Sequence, residues 1–286
     1  MKRRRKAVKE HWSGVGPLLR AGSKAPSDRE REQWYEANTI HLDRIDQFTL
    51  LDDTMPAEWI GKRMHESSRG PLLWVPDGFE AYARVFFPYQ FHELPEGYDE
   101  DPLSKQKDVK IWTESWSTIA TRHGKVAHVL MKREAIDLGE ESGDALDELD
   151  ESGMRALTNV LRKHTSTPDE TYVLVWEGYG NINQGWEQHP PQVMHPLQRG
   201  CYALKGPIDA VGHFPLKIQN WFPADRTWCY GSDTDLYWAF VAGSAELIDE
   251  LTRTDGLEVL RLEPTDTVTF GYDPVNDPDG KIEIRW

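Results

Sequence analysis

One stretch of the chain, residues 170–262, constrains the fold more than any other. It consists of short runs rich in Val, Tyr, Trp and Leu, which are separated by Gly, Pro and Asp residues. Such runs are typical of β-strands, and the residues between them are typical of turns. A single helical pattern, ELIDELT, comes near the end of the stretch. We therefore predict an α+β fold, in which a mainly antiparallel sheet is packed by three or four helices.

Local patterns predict the positions of several strands. A nearly continuous apolar run at 171–176 predicts a central strand. Alternation of side chains along 79–86 predicts a strand with one face in the core. The runs 228–230 and 236–241 flank the turn sequence GSDTD and predict a hairpin. The Pro-rich, acidic segment 89–108 is too polar to pack well and predicts a surface loop.

Capping residues and helical spacing indicate three helices. Residues 113–116 open one that continues through His123 and ends at Gly124. Apolar residues recur at helical spacing along 154–161, with acids before them and bases after them, as the helix dipole favours. Ser244 stands at the N-cap position of the ELIDELT pattern.

The charge of the chain is unevenly distributed. Residues 1–31 contain ten Lys or Arg and three acids, a balance of +7, so the −15 of the whole chain leaves −22 for residues 32–286. We predict a disordered basic arm over 1–31 and a single α+β domain over 32–286. The negative domain would repel phosphate backbones, so nucleic-acid binding is not expected except through the arm.

The cellular location is predicted from what the sequence lacks. No apolar segment of signal-peptide type follows the basic start, and no apolar run approaches 18 residues. The chain has two cysteines, Cys201 and Cys229, which are too few for a disulfide framework or a four-cysteine zinc site. We therefore predict a cytoplasmic protein that does not bind membranes.

Four blocks of sequence carry a family resemblance. They are VPDGFEAYARVFFP (75–88), VLVWEGYG (173–180), YALKGPIDAV (202–211) and NWFPADRTWCYGSDTDLYWAFVAGSAELIDEL (220–251). Together they resemble blocks of an uncharacterised family of actinobacterial proteins. Because that family has no assigned activity, the resemblance implies no catalytic residues for this chain.

Two groups of residues are candidates for catalysis or metal binding. Asp225, Asp233 and Asp235 surround a predicted turn, where carboxylates could hold a hard cation or act as general acid and base. A second group, which could approach a common metal, consists of three histidines: His189, His195 and His213. The spacing of these histidines matches no zinc signature, and Asp is a common turn residue. We therefore predict no metal and no cofactor.

The loop 178–196 and the hairpin 233–238 together predict a recognition surface. They are rich in acids and large rings, which suit contact with a basic protein. We predict that this surface consists of Tyr179, Trp186, Asp233, Asp235, Tyr237 and Trp238. Since Tyr237 and Trp238 alternate along a strand, at most one of them is expected to face the core.

Two classes of function remain open from the sequence. The first is an acidic, aromatic-rich binding protein that recognises a basic protein. Neutralisation of a toxin is one example of such recognition. The alternative is a hydrolase-like enzyme with a pocket lined by Asp and His. The position of Asp225, Asp233 and the loop histidines in the fold discriminates between the two, because the enzyme needs them in one cleft.

Overall fold

A computed structural model describes residues 29, 38–65, 68–93, 110–136, 138, 143–183, 192–194, 199–268 and 273–280. The predicted basic arm, residues 1–31, lies outside the described residues apart from Arg29.

The described residues form β-strands, α-helices and short 3-10 helices. The strands are β1 (Ile40–His41), β2 (Thr49–Leu50), β3 (Ala81–Phe86), β4 (Tyr89–Glu93), β5 (Lys110–Glu114), β6 (Gly143–Ala145), β7 (Thr171–Trp176), β8 (Ile182–Asn183), β9 (Gln192–Met194), β10 (Arg199–Gly206), β11 (Asn220–Pro223), β12 (Cys229–Gly231), β13 (Trp238–Gly243) and β14 (Glu258–Leu262). The α-helices are α1 (Glu58–Gly61), α2 (Trp116–Arg122), α3 (Glu151–Lys163) and α4 (Ala245–Thr252). The 3-10 helices are Leu42–Arg44, Met55–Ala57, Pro71–Leu73, Arg133–Ala135 and Ile208–His213.

A large antiparallel sheet dominates the architecture. Its strands are hydrogen-bonded in the order β14-β3-β13-β12-β11-β7-β10-β2, and β9 also pairs with β10. A smaller antiparallel sheet has the order β5-β4-β6, and β1 pairs in parallel with β8. The predicted α+β fold with a mainly antiparallel sheet is confirmed. The run 171–176 is a central strand, as predicted, because β7 pairs with both β10 and β11.

The three predicted helices are confirmed, and side chains cap each of them. The Ser244 hydroxyl accepts a hydrogen bond from the Leu247 amide at 3.1 Å, and Ser115 caps α2 in the same way. In α3 the cap is Asp150, whose carboxylate accepts from the Gly153 amide at 2.7 Å. These contacts satisfy amide groups that have no partner within a helix.

Both faces of the large sheet are covered. On one face Ala83 and Val85 of β3 belong to an apolar cluster that includes residues of α3 and α4. On the other face Tyr82 packs in a second cluster, which contains Trp59 of α1 and neighbouring residues. All six residues of β3 are buried, so the prediction of one core face for this strand is wrong. The residue pattern alternates, but a second layer of chain covers the polar face.

Arg84 shows how that second face tolerates a charge. It is only 1% exposed. Its guanidinium donates hydrogen bonds to the carbonyls of Val129 at 2.7 Å and Met131 at 3.0 Å. The same group lies 4.0 Å from the centroid of the Trp238 ring and 4.3 Å from that of Phe86. Hydrogen bonds and cation–π contacts therefore replace the water that burial removes.

The predicted surface loop 89–108 is wrong at its start. Tyr89–Glu93 is β4, and the rest, from residue 94 onward, lies outside the described residues. Tyr89 and Phe91 are buried because they alternate toward a third apolar cluster, which contains Trp116 of α2. The ring centroids of Tyr89 and Trp116 are 5.5 Å apart. Apolar alternation therefore outweighs the polar composition of the segment as a whole.

Two findings bear on location. None of the helices in the described part of the chain has the length and apolar character that a membrane crossing requires. Cys201 and Cys229 are both buried free thiols. Burial raises the pKa of Cys201 to about 12, so its thiol stays protonated at neutral pH.

Candidate functional site

A depression lies at one end of the central strands. The register brings this end together, because Trp176 at the end of β7 pairs with Cys201 of β10, while Asn220 at the start of β11 pairs with Gly231 of β12. We call it the Asp233 depression, and its lining is Trp176, Tyr179, Arg199, Lys217, Ile218, Gln219, Asp233 and Thr234. Its empty space of about 180 Å³ includes open solvent, so the depression is not an enclosed cavity.

An ion pair forms the wall of the Asp233 depression. The carboxylate of Asp233 accepts a hydrogen bond from the Arg199 guanidinium at 2.6 Å, and its side chain is only 1% exposed. The hydroxyl of Thr234 donates to the other carboxylate oxygen at 2.9 Å. The guanidinium carbon of Arg199 lies 5.1 Å from the centroid of the Trp176 ring. Asp233 is therefore committed to its neighbours and does not offer an open carboxylate.

Lys217 supplies the second cation of the Asp233 depression. Its ammonium donates to the Leu236 carbonyl at 2.5 Å and lies 5.3 Å from the centroid of the Phe87 ring. Burial lowers the pKa of Lys217 to about 8, although the negative charges of four carboxylates oppose this shift. These are Asp147, Asp233, Glu148 and Asp235. Desolvation therefore outweighs the attraction of the acids, and the charged form of Lys217 is unusually weakly held.

Tyr179 contributes a neutral phenol to the same place. Burial raises its pKa far above the usual value, and the charges of Asp147, Asp233 and Glu148 raise it further. The phenol donates to the backbone carbonyl of Lys217 at 3.3 Å. Its ring lies 6.0 Å from that of Trp176, edge to face. The lining is thus aromatic, with two cations and one acid, and further acids lie close enough to act on it.

The residues of the predicted recognition surface are distributed over several places. Tyr179 and Asp233 both line the Asp233 depression, and Asp235 is exposed on the adjacent turn. Trp186 lies outside the described residues, as do the other residues of 184–191 and residues 195–196 of its loop. The loop 178–196 also contains two short strands, β8 and β9.

Tyr237 and Trp238 are each half-buried. Tyr237 packs against the cluster of the small sheet, and the Arg133 guanidinium lies 5.4 Å from its ring centroid. Trp238 packs against the cluster on the second face of the large sheet, over Arg84. The two rings therefore pack against different apolar clusters. The expectation that one ring stays clear of the core therefore fails.

The three aspartates of the catalytic hypothesis do not form one group. Asp225 follows the end of β11, whereas Asp233 lies near the start of that strand, beyond Gly231. The Asp225 carboxylate accepts from the Ser166 amide at 2.6 Å and from the Thr165 hydroxyl at 2.9 Å. These contacts hold the chain at residues 165–166 against Asp225, and stabilising turns in this way is a common role of Asp.

The histidines give no common site in the described residues. His213 is exposed at the end of the 3-10 helix Ile208–His213, and His189 and His195 lie outside the described residues. Within the ranges that the structure describes, no group of three or more His, Cys, Asp or Glu side chains is placed to hold a metal ion.

Trp176, Arg199 and Lys217 were not predicted as site residues. The first two stand at strand ends, where nothing in the local pattern separates them from ordinary strand residues. Lys217 does carry a signal, because it is the only Lys or Arg between Lys205 and Arg226 and its immediate neighbours are apolar. A lysine isolated in an apolar run is a candidate for burial and for a shifted pKa.

The chain was compared with models of protein families, with curated proteins and with solved structures. None of the three comparisons finds a match.

Proposed function

We propose that this chain is a binding protein that recognises a basic protein partner at the Asp233 depression and the exposed turn beside it. One observation carries the proposal. Tyr179 and Asp233, which are distant in sequence, line the same depression, and Asp235 is close enough to act on its lysine. This proximity supports a surface to which both the loop and the hairpin contribute.

The charge of the site supports a basic partner. Four carboxylates act on Lys217, whereas the depression itself provides two cations, Lys217 and Arg199. Residues 32–286 carry a net charge of −22, so the local excess of acid has the same sign as the surrounding field. Complementary fields of this kind speed association and favour partners of opposite charge.

The proposal also includes a cellular location, a type of partner and a family. We propose a cytoplasmic location, which the two free thiols support, because disulfides are rare in that compartment. Neutralisation of a basic toxin is one form that recognition could take, and membership of the actinobacterial family is proposed from the sequence blocks alone. Among the residues that the structure describes, no contact favours the hydrolase-like alternative, since Asp225 and Asp233 lie at opposite ends of β11.

The test is a charge reversal beside the depression. Partners captured from native cytoplasm are first purified, and their Kd for the wild-type chain is measured at two salt concentrations. Asp235→Lys should then weaken binding at least about tenfold, mainly through slower association, because Asp235 is exposed next to the depression. Its exposure also means that the substitution leaves the free energy of unfolding nearly unchanged.

Asp255→Lys is the matched control. Asp255 is also an exposed acid on a turn, but it precedes the edge strand β14, which does not line the depression. The control changes the net charge equally and should alter Kd less than about twofold, apart from the general field effect. Equal losses in the two variants would show that net charge alone drives binding. An unchanged Kd in Asp235→Lys would exclude this surface.

A further inference from the structure

Two exposed arginines approach the same tryptophan ring on the second face of the large sheet. Arg63 follows α1, and Arg226 lies in the turn between β11 and β12. Their guanidinium carbons are 5.9 Å and 5.5 Å from the centroid of the Trp59 ring. Both arginines are exposed, whereas Trp59 is only 9% exposed. Two cations that solvent can reach, which we call the arginine pair, therefore lie close together beside a buried ring.

The arginine pair is not neutralised within the ranges that the structure describes. There its guanidinium groups form cation–π contacts but no ion pair and no hydrogen bond. An aspartate lies next to each arginine, yet its carboxylate is bound elsewhere. That of Asp77 lies 3.2 Å from Nε2 of His65, and that of Asp225 accepts a hydrogen bond from the Ser166 amide at 2.6 Å. Two guanidinium groups thus keep all their N–H donors for a ligand.

The backbone at Arg226 has a conformation that arginine rarely adopts. Its φ of 57° is in the left-handed region, which favours Gly, Asn and Asp. Strained residues of this kind are frequent at sites where a side chain has a function. The side chain of Arg226 is exposed, so core packing does not explain why an arginine occupies this position. A ligand for its guanidinium group does explain it.

We propose that the arginine pair binds the phosphate group of a small molecule. The planar, forked N–H donors of arginine match the oxygens of phosphate. A phosphomonoester carries a charge of about −1.5 to −2 at neutral pH, which two cations balance and one does not. Phe79, half-buried with its ring centroid 5.6 Å from the Arg63 guanidinium carbon, supplies apolar surface for an organic part. The charge of −22 on residues 32–286 repels nucleic acids, so a ligand with a single phosphate is favoured.

Isothermal titration calorimetry of the full chain with phenyl phosphate tests the proposal. The buffer has low ionic strength and contains no phosphate or sulfate. One saturable site is expected, and Arg63→Gln and Arg226→Asn should each weaken binding at least about tenfold, because each removes charge-assisted hydrogen bonds. Since asparagine tolerates the left-handed region, Arg226→Asn should keep the urea midpoint of the wild-type chain. A loss of binding in that variant is then not a loss of fold.

Arg253→Gln is the matched control. Arg253, at the end of α4, is likewise exposed and forms no ion pair with any described residue, and its loss changes the net charge equally. It should alter the Kd for phenyl phosphate less than about twofold. Equal losses in all three variants, or no saturable binding up to about 10 mM, would overturn the proposal.

Competition by inorganic phosphate distinguishes the two sources of the ligand. Equal affinities identify free phosphate as sufficient, whereas tighter binding of phenyl phosphate identifies an organic phosphomonoester that also contacts the rings; both results support the site. The arginine pair lies beyond the end of β11 that is remote from Asp233. This proposal therefore does not rest on the proposed protein partner, and the two fail separately.

Discussion

The ion pair between Asp233 and Arg199 should respond unequally to the loss of either partner. Arg199→Met leaves a carboxylate that is 1% exposed without its cation, whereas Asp233→Asn leaves a guanidinium that is 27% exposed and can regain water. Removing one partner from a buried pair costs about 3–5 kcal/mol, and Arg199→Met should fall in that range. Asp233→Asn keeps an oxygen acceptor and should cost about 1–2 kcal/mol.

Urea unfolding measures this difference directly. The free energies of unfolding are compared at constant m-value, so that a change in midpoint reports stability alone. Arg155→Met is the matched control, because Arg155 pairs with Glu151 at 3.3 Å on the exposed surface of α3. That substitution should cost less than about 0.5 kcal/mol.

The double variant completes the test. If the two charges stabilise the fold chiefly through each other, Arg199→Met combined with Asp233→Asn should cost clearly less than the two single changes added together. The reasoning is refuted if Asp233→Asn proves more costly than Arg199→Met, or if Arg199→Met is no worse than the exposed control. Either outcome would mean that the burial of Asp233 does not set the energy of the pair.

Two other predictions concern backbone packing and pH. Gly231→Ala should lower the free energy of unfolding by more than about 2 kcal/mol, because the new Cβ would lie 2.2 Å from the Trp74 carbonyl oxygen. Gly212→Ala is the control and should change the free energy of unfolding little, because its Cβ would lie 3.7 Å from the nearest atom, Cγ of Met154. Burial by itself would raise the pKa of Asp225, but hydrogen bonds, the largest from Ser166, hold that pKa below the usual value for an aspartate. The stability lost in Asp225→Asn should therefore be complete at pH 7 and shrink below about pH 3.8, as urea melts at both values can show.

Features that depend on neighbouring residues could be predicted from the sequence. Ser244 was identified as a helix cap because a hydroxyl at that position bonds to an amide only three residues away. The central position of 171–176 followed from its uninterrupted apolar run. In these cases the sequence signal and the physical cause lie within a few residues of each other.

Features that depend on distant partners could not be predicted in the same way. In the sequence pattern, Arg84 lies on the polar side of an alternating strand, which predicts exposure. In the structure it is buried, because residues 129–131 and Trp238 cover it. The contact between Tyr179 and the chain around Lys217 likewise requires the register of β7, β10 and β11, which no local pattern specifies. Long-range register, more than secondary structure, was therefore the missing information.

The pairing of β3 has a consequence for synthesis of the chain. This strand, which is buried along its whole length, pairs with β13 and β14, and these lie more than 150 residues later in the sequence. At roughly 5–20 residues per second, a ribosome needs about 10–30 s to reach them. During that interval the apolar residues of β3 have emerged, but the strands that will cover their edges do not yet exist. We therefore expect that the nascent chain is exposed to aggregation during this interval, and that slower translation lengthens the exposure.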